Sequence, residues 1–170
     1  MGKLKLMTIL GTRPEIIRLS AVIKCADKYF DHILVHTGQN YDYTLNEVFF
    51  NDLELRAPDY YLDSVGDNLG QTMGNILAKS YEVLQKEQPD ALLILGDTNS
   101  APSAISAKRL NVPIFHMEPG TRCCDWTAPD MTNRTSVDRT SAIYLPYPQP
   151  NHPHPLIQRL NRTTTTVPCT

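Results

Sequence analysis

The stretch Leu4-Lys5-Leu6-Met7-Thr8-Ile9-Leu10-Gly11-Thr12-Arg13-Pro14-Glu15-Ile16 decides the fold. Residues 4–10 are nearly continuous in hydrophobicity rather than alternating, which marks a strand buried on both faces, as in a parallel sheet. Gly11 permits a tight turn out of it. Pro14 suits a first helical turn, and Ile16, Leu19, Ile23 and Ala26 then fall on one helical face. Working outward, similar apolar runs recur at residues 33–36, 91–95 and 113–115, with a weaker one at 143–145. Helical patterns lie between them. One covers about 45–50. A long one places Leu69, Met73, Ile76, Leu77, Tyr81 and Leu84 at helical spacing. Another follows Pro102 through Ala104, Ile105, Ala107 and Lys108, and the last starts near Pro129. Strand–helix alternation of this kind predicts an α/β fold: a doubly wound parallel sheet in one Rossmann-like domain.

Each strand is expected to end in a polar motif. Gly11-Thr12-Arg13-Pro14-Glu15 follows the first, Thr37-Gly38-Gln39-Asn40 the second, Gly96-Asp97-Thr98-Asn99-Ser100 the third and His116-Met117-Glu118-Pro119-Gly120 the fourth. In open α/β sheets ligands bind outside the carboxyl ends of the strands. The four motifs therefore predict one mouth carrying a guanidinium, two carboxylates, an imidazole and helix N-termini that favour anions. Taken singly, each has a plainer reading: Gly11 as a turn glycine, Asp97 and Thr98 as helix caps, His116 as a satisfied core histidine. Their coincidence at strand ends is what favours a site.

Composition narrows the function class. Among 170 residues, 16 Lys+Arg stand against 18 Asp+Glu, for a net charge of -2, so there is no basic footprint for nucleic acid. No apolar run reaches the roughly 18–20 residues of a membrane span. The short apolar stretch after the N-terminus meets Gly11-Thr12-Arg13-Pro14 with no small-residue cleavage site behind it, so the expected location is cytoplasmic. The four cysteines, Cys25, Cys123, Cys124 and Cys169, form no C-x-x-C or regular framework and read as reduced thiols. No metal is expected: His116 and Glu118 lack a third partner at ligand spacing, and His152 and His154 sit in a proline-rich tail. G-x-G-x-x-G, the P-loop and G-x-S-x-G are all absent. Six of the 13 prolines fall in residues 146–170, which also hold the run Thr163-Thr164-Thr165-Thr166. The expected organisation is a domain over 1–147 and a poorly ordered tail over 148–170.

Gly11-Thr12-Arg13-Pro14-Glu15-Ile16, Gly96-Asp97-Thr98-Asn99-Ser100 and His116-Met117-Glu118-x-Gly120-x-Arg122 together resemble the N-terminal domain of the non-hydrolysing UDP-N-acetylglucosamine 2-epimerases, from about residue 3 to about 147. Thr37-Gly38-Gln39-Asn40-Tyr41-Asp42-Tyr43 is similar to the capsule and O-antigen branch. The resemblance implies one half of a two-domain glycosyltransferase-B-like fold, with the active site in the interdomain cleft. It implies epimerisation at C2 by anti elimination of UDP and re-addition after a face change, without a cofactor. Carried over by position, Asp97, Glu118 and Asp130 would be catalytic carboxylates. Arg13 would sit at the phosphate or catalytic centre, and Arg18, His116 and Arg122 would bind substrate. A UDP-amino sugar is the implied ligand and a homodimer, with helix 69–87 as a candidate interface, the implied assembly.

Two departures matter. The family's Pro-Glu-Glu-x-Asn-Arg reads Pro129-Asp130-Met131-Thr132-Asn133-Arg134 here, so one acid is a methylene shorter and the next is gone. A lost acid–base group typically costs about 10²–10⁴ in rate. The second, nucleotide-binding domain of the family is also expected to be absent. The expectation is thus a UDP-N-acetylglucosamine 2-epimerase fragment, inactive alone. The alternatives are a 2-epimerase for UDP-2-acetamido-2,6-dideoxy-L-talose and a non-catalytic UDP-sugar-binding remnant.

Overall fold

Three strands share one alternation, and it places the sheet between two helical layers. Met7, Ile9, Ile33, Val35, Leu92 and Ile94 lie in one core, with Leu84, Ala104, Ala107 and Val137 from the helices. Leu10, Leu34 and Leu95 lie in the other, with Ile16, Leu19, Ile23 and Phe50. Neighbouring residues of a strand point to opposite faces, so a run that is apolar at every position fills both cores at once. Full burial of each Leu or Ile contributes about 1.5–3 kcal/mol.

The computed structural model describes residues 2–38, 43–118 and 129–145, the side chains of 43–47 and 129 excepted. In chain order the elements are β1 (Lys5–Leu10), α1 (Arg13–Tyr29), β2 (Asp31–His36), α2 (Tyr43–Asp52), β3 (Tyr60–Tyr61), α3 (Leu69–Glu87), β4 (Ala91–Leu95), α4 (Ser103–Arg109), β5 (Ile114–Met117), α5 (Pro129–Thr140) and β6 (Ile143–Leu145). The strands form one sheet in the order β3-β2-β1-β4-β5-β6, and every pair is parallel. This is the doubly wound α/β architecture expected from the sequence. No helix among the described residues is long and apolar enough to cross a membrane.

Local chemistry sets the element ends. Asn68 caps α3 by accepting the Gln71 N–H at 2.9 Å, and α3 stops at Gln88, a left-handed residue (φ 48) before Pro89. The short α4 buries Ser103, Ala104, Ser106 and Ala107. Its small side chains let it lie close to its neighbours, and the Ser106 hydroxyl is satisfied by the Leu77 carbonyl of α3 at 2.9 Å. β2 ends in a tight corner. His36 is fully buried, and its Nδ1 accepts the Gly38 N–H at 3.1 Å. Gly38 has φ +66, and a Cβ there would stand 3.0 Å from the Asp63 backbone, so only glycine fits without strain.

Two expectations change. β3 has no counterpart in the apolar pattern, because it is two half-buried tyrosines paired with Val35 and His36. The fourth apolar run extends as β5 through Met117, so His116 lies within a strand rather than after it. The expected boundary at 147, the tail over 148–170, Arg122 and three of the four cysteines lie outside the described residues.

Candidate functional site

The strand order reverses direction between β1 and β4, so the crevice expected of such sheets opens at their carboxyl ends. The loops after β1 and β4 flank it, and the end of β5 adjoins it.

On the β1 side, α1 begins immediately after Thr12. Its third residue, Glu15, is 2% exposed and folds back over the turn. Glu15 Oε2 accepts the N–H groups of Gly11 (2.9 Å) and Thr12 (2.8 Å) and the Thr12 hydroxyl (2.9 Å). These donors would otherwise be orphans of the helix start. Oε1 makes hydrogen-bond contacts with the hydroxyls of Thr98 (2.8 Å) and Ser100 (2.5 Å) from the β4 side. Burial pushes its pKa up, against the downward pull of those hydrogen bonds.

On the β4 side, Gly96 turns the chain with φ +68. Asp97 Oδ2 accepts both Nε (3.0 Å) and Nη2 (2.6 Å) of Arg134. Asn133 donates to the Asp97 and Thr98 carbonyls at 3.1 and 3.4 Å. Both partners come from α5, so this helix fixes where the aspartate stands. A third Arg134 nitrogen, Nη1, donates to the Glu118 carbonyl at 2.7 Å. One guanidinium therefore ties the Asp97 carboxylate to the backbone of Glu118.

Glu118 follows β5 in a left-handed conformation, φ 60. For a non-glycine residue this costs about 1–2 kcal/mol, and such strain gathers at functional positions. Its carboxylate accepts Arg18 Nη1 through both oxygens, at 3.0 and 2.8 Å. A Cβ at Gly96 would stand 3.4 Å from Oε2, so the carboxylate lies against the β4 turn. Arg18 thus reaches across the crevice from α1.

His116 takes its plainer reading. It is fully buried. Nε2 contacts the Gly96 carbonyl at 2.9 Å and Nδ1 contacts Asp138 Oδ1 at 2.8 Å. A carbonyl only accepts, so Nε2 carries a hydrogen. With both nitrogens engaged, the ligand contact expected of His116 is not available. Its ring holds the Gly96 turn instead.

Arg13, the first residue of α1, is exposed, with its guanidinium 5.8 Å over the Phe49 ring. Among the described residues it forms no ion pair, so it is free to meet an anion at the mouth. Asp130 is exposed in the first turn of α5, four residues before Arg134 and hence on the same helical face. Met131 is 5% exposed, so the position where the pattern carries a second glutamate is an apolar, inward one here. The sequence reading missed three residues that hold the site: Glu15, Asn133 and Arg134. A signal existed for the last two. In α5 only Pro129, Met131 and Val137 are apolar, so a helix packed on this sheet had to bury polar groups and satisfy them internally.

The family described as UDP-N-acetylglucosamine 2-epimerase matches residues 24–164, past residue 147 where the motif resemblance ends. The UDP-2,3-diacetamido-2,3-dideoxy-D-glucuronate 2-epimerase of Pseudomonas aeruginosa is 40% identical over 143 residues, covering 82% of this chain and 40% of that protein. The UDP-N-acetylglucosamine 2-epimerase structure from Rickettsia bellii overlays with a TM-score of 0.89 at 48% identity, covering 97% of this chain and 44% of that one. That of Methanocaldococcus jannaschii, in complex with UDP-GlcNAc and UDP, gives 0.90 at 33% identity, covering 96% and 46%. The chain spans about 40% of the length of the curated relatives it matches.

Proposed function

The chain belongs to the UDP-N-acetylglucosamine 2-epimerase family, and from that premise we propose that it supplies the acid–base half of a UDP-amino-sugar 2-epimerase site. In the assembled protein a second, nucleotide-binding domain faces this crevice, and turnover belongs to the pair. The observation that carries the reading is the joint hold of Arg134 on Asp97 and Glu118 beside the switch point.

The chemistry assigns roles. The C2 proton is weakly acidic, so its removal needs a base, and epimerisation needs a second proton carrier on the opposite face. Asp97 and Glu118 supply two carboxylates held in place, with Asp130 a third on the α5 face shared with Arg134. Departing UDP carries negative charge. Exposed Arg13 at the start of α1, with the helix N-terminus beneath it, opposes that charge. Arg18, and Arg122 beyond the described residues, complete the substrate contacts in this reading. His116 acts indirectly through the Gly96 turn. No cofactor is required, because one proton leaves C2 and another is delivered to the same carbon from the opposite face, with UDP leaving and re-adding at C1, so substrate and product stand at one oxidation level.

UDP-N-acetylglucosamine is the substrate in this proposal. The equal similarity of a relative named for a diacetamido uronate favours a class, UDP-2-acetamido sugars, and leaves room for the talose derivative of the capsule and O-antigen branch. A cytoplasmic location and a homodimer belong to the same reading. The exposed Leu69 and Tyr81 of α3, with Ile105 of α4, offer apolar area for self-association. Size-exclusion chromatography with light scattering is expected to return twice the chain mass; a monomer at every concentration would remove the dimer.

The site is tested by calorimetry with UDP and with UDP-N-acetylglucosamine. Binding of UDP is expected, weakened at least about tenfold in Arg13→Ala, since a charge-assisted contact to phosphate is lost. The chain alone is expected to form no manno epimer. Robust epimer formation without a second protein would overturn the half-site reading, and UDP binding indifferent to Arg13→Ala would remove Arg13 from the site.

A further inference from the structure

One buried acid beside the crevice has no cation. Glu15 is 2% exposed, and no Lys, Arg or His among the described residues pairs with it. Its Oε2 accepts three donors from its own turn. Its Oε1 stands 2.8 Å from Thr98 Oγ1 and 2.5 Å from Ser100 Oγ, and those two hydroxyl oxygens are 2.6 Å from each other. The three oxygens form a closed triangle of hydrogen-bond contacts.

Counting hydrogens decides how the triangle is filled. Three contacts need three hydrogens, and the two hydroxyls bring two. With an ionised carboxylate, one contact would press lone pairs together with nothing between them. A hydrogen on Oε1 completes the ring: each oxygen donates once and accepts once, and bonds in such a chain strengthen one another. The surroundings agree, since burial without a countercharge favours the neutral acid. The ring also joins two distant stretches. Glu15 belongs to the loop and helix start that carry Arg13, whereas Thr98 and Ser100 follow Asp97, 83 and 85 residues further along.

We propose that Glu15 is a positioning residue for the crevice: its carboxyl, carrying a proton on Oε1, closes a ring with the Thr98 and Ser100 hydroxyls and holds the Arg13 and Asp97 loops at one fixed separation. That this separation serves a ligand rests on the function proposed above; the ring itself does not. Glu15 touches no reacting atom in this account. It acts through Arg13 and Asp97.

Glu15→Gln is the discriminating variant. A glutamine can keep an acceptor toward Gly11 and Thr12 and aim its two amide hydrogens at Thr98 and Ser100, so it fills the triangle with hydrogens and without charge, as the neutral acid does and the carboxylate cannot, although it accepts from neither hydroxyl. Amide hydrogen exchange on the whole chain is expected to leave Gly11 and Thr12 protected within about threefold of the parent in Glu15→Gln, and to lose about ten- to a hundredfold in Glu15→Ala. Ser100→Ala touches neither amide, yet it opens the ring and is expected to lower their protection about threefold or more. Infrared difference spectra at neutral pH should show the carbonyl stretch of a neutral carboxylic acid in the parent and not in Glu15→Gln. Glutamine as damaging as alanine, with no acid band, would overturn the protonated ring. Unchanged Gly11 and Thr12 protection in Ser100→Ala would overturn the clamp. If Glu15→Ala does not fold, the glutamine and Ser100 variants and the infrared band still decide. UDP calorimetry separates the two readings: an intact ring with no UDP binding sinks the ligand assignment alone, whereas binding weakened in Ser100→Ala and kept in Glu15→Gln supports both.

Discussion

Arg134→Ala is expected to remove about 3 kcal/mol of folding stability, a large share of the roughly 5–15 kcal/mol a domain of this size has. The guanidinium is 9% exposed and the Asp97 side chain 28%. Truncation strands a carboxylate that water reaches only in part. It also strips the donor from the Glu118 carbonyl, at a residue already held at φ 60. Breaking a fully buried pair costs about 3–5 kcal/mol, and the partial exposure of Asp97 places this one at the low end. In urea, with a slope of about 1–3 kcal/mol per molar, the midpoint should fall by on the order of 1 M or more at unchanged slope.

Arg18→Ala is the contrast. Its partner is also a site carboxylate, but Arg18 is 54% exposed, so its loss is expected to cost under about 1 kcal/mol. Arg134→Lys should restore only about 1 kcal/mol, because one ammonium cannot span Asp97 and Glu118 as the planar fork does. If Arg134→Ala and Arg18→Ala cost the same, within error, α5 does not anchor the site. The same substitution should release Asp97 and weaken UDP binding more than Arg18→Ala does, since Asp97 is the acid that Arg134 orients.

The difference between these arginines also shows what could be read from the chain. The parallel sheet was legible because residues 4–10, 33–36 and 91–95 are nearly continuous in apolar side chains rather than alternating, and a strand covered on both faces needs that. The crevice was legible because Gly11, Gly96 and Glu118 follow such runs. What escaped was what long-range partners decide. Glu15 was visible within its motif, but its second set of partners lies 83 and 85 residues away. Arg134 was visible as the last residue of Pro129-Asp130-Met131-Thr132-Asn133-Arg134, but its partners, the Asp97 carboxylate and the Glu118 carbonyl, lie on other loops. His116 looked like a loop ligand because its imidazole ends the apolar run. In the structure the strand continues through it, paired with Ile94 and Tyr144 on either side. β3 escaped because two residues are too few to carry a periodic pattern.

The second large effect is a loss of stability in acid that depends on His36. Burial lowers its pKa from the ordinary 6.5 to about 4, only partly opposed by the negative charge of Asp63. Geometry gives the same protonation state: Nδ1 accepts the Gly38 N–H, so Nε2 carries the single ring hydrogen, without a partner among the described residues, and the imidazole lies near the Phe50 and Tyr61 rings. A second proton on Nδ1 would break the Gly38 bond and leave a cation among aromatic rings. Between about pH 6.5 and pH 4 the unfolded chain therefore binds this proton and the folded chain does not. Stability rises with pH wherever the unfolded state holds more protons, so the contribution is fully present above about pH 6.5 and is lost as the pH falls toward 4. Two and a half pKa units correspond to about 3 kcal/mol. His36→Asn keeps an acceptor near Nδ1 but cannot titrate, so it isolates the histidine from the carboxylates that also weaken the fold in acid. Urea titrations at a series of pH values should show the two proteins converging by about 3 kcal/mol between pH 7 and pH 4, whatever their offset at pH 7. Parallel curves would mean that the imidazole can be protonated in place, and that the corner at the end of β2 opens at little cost.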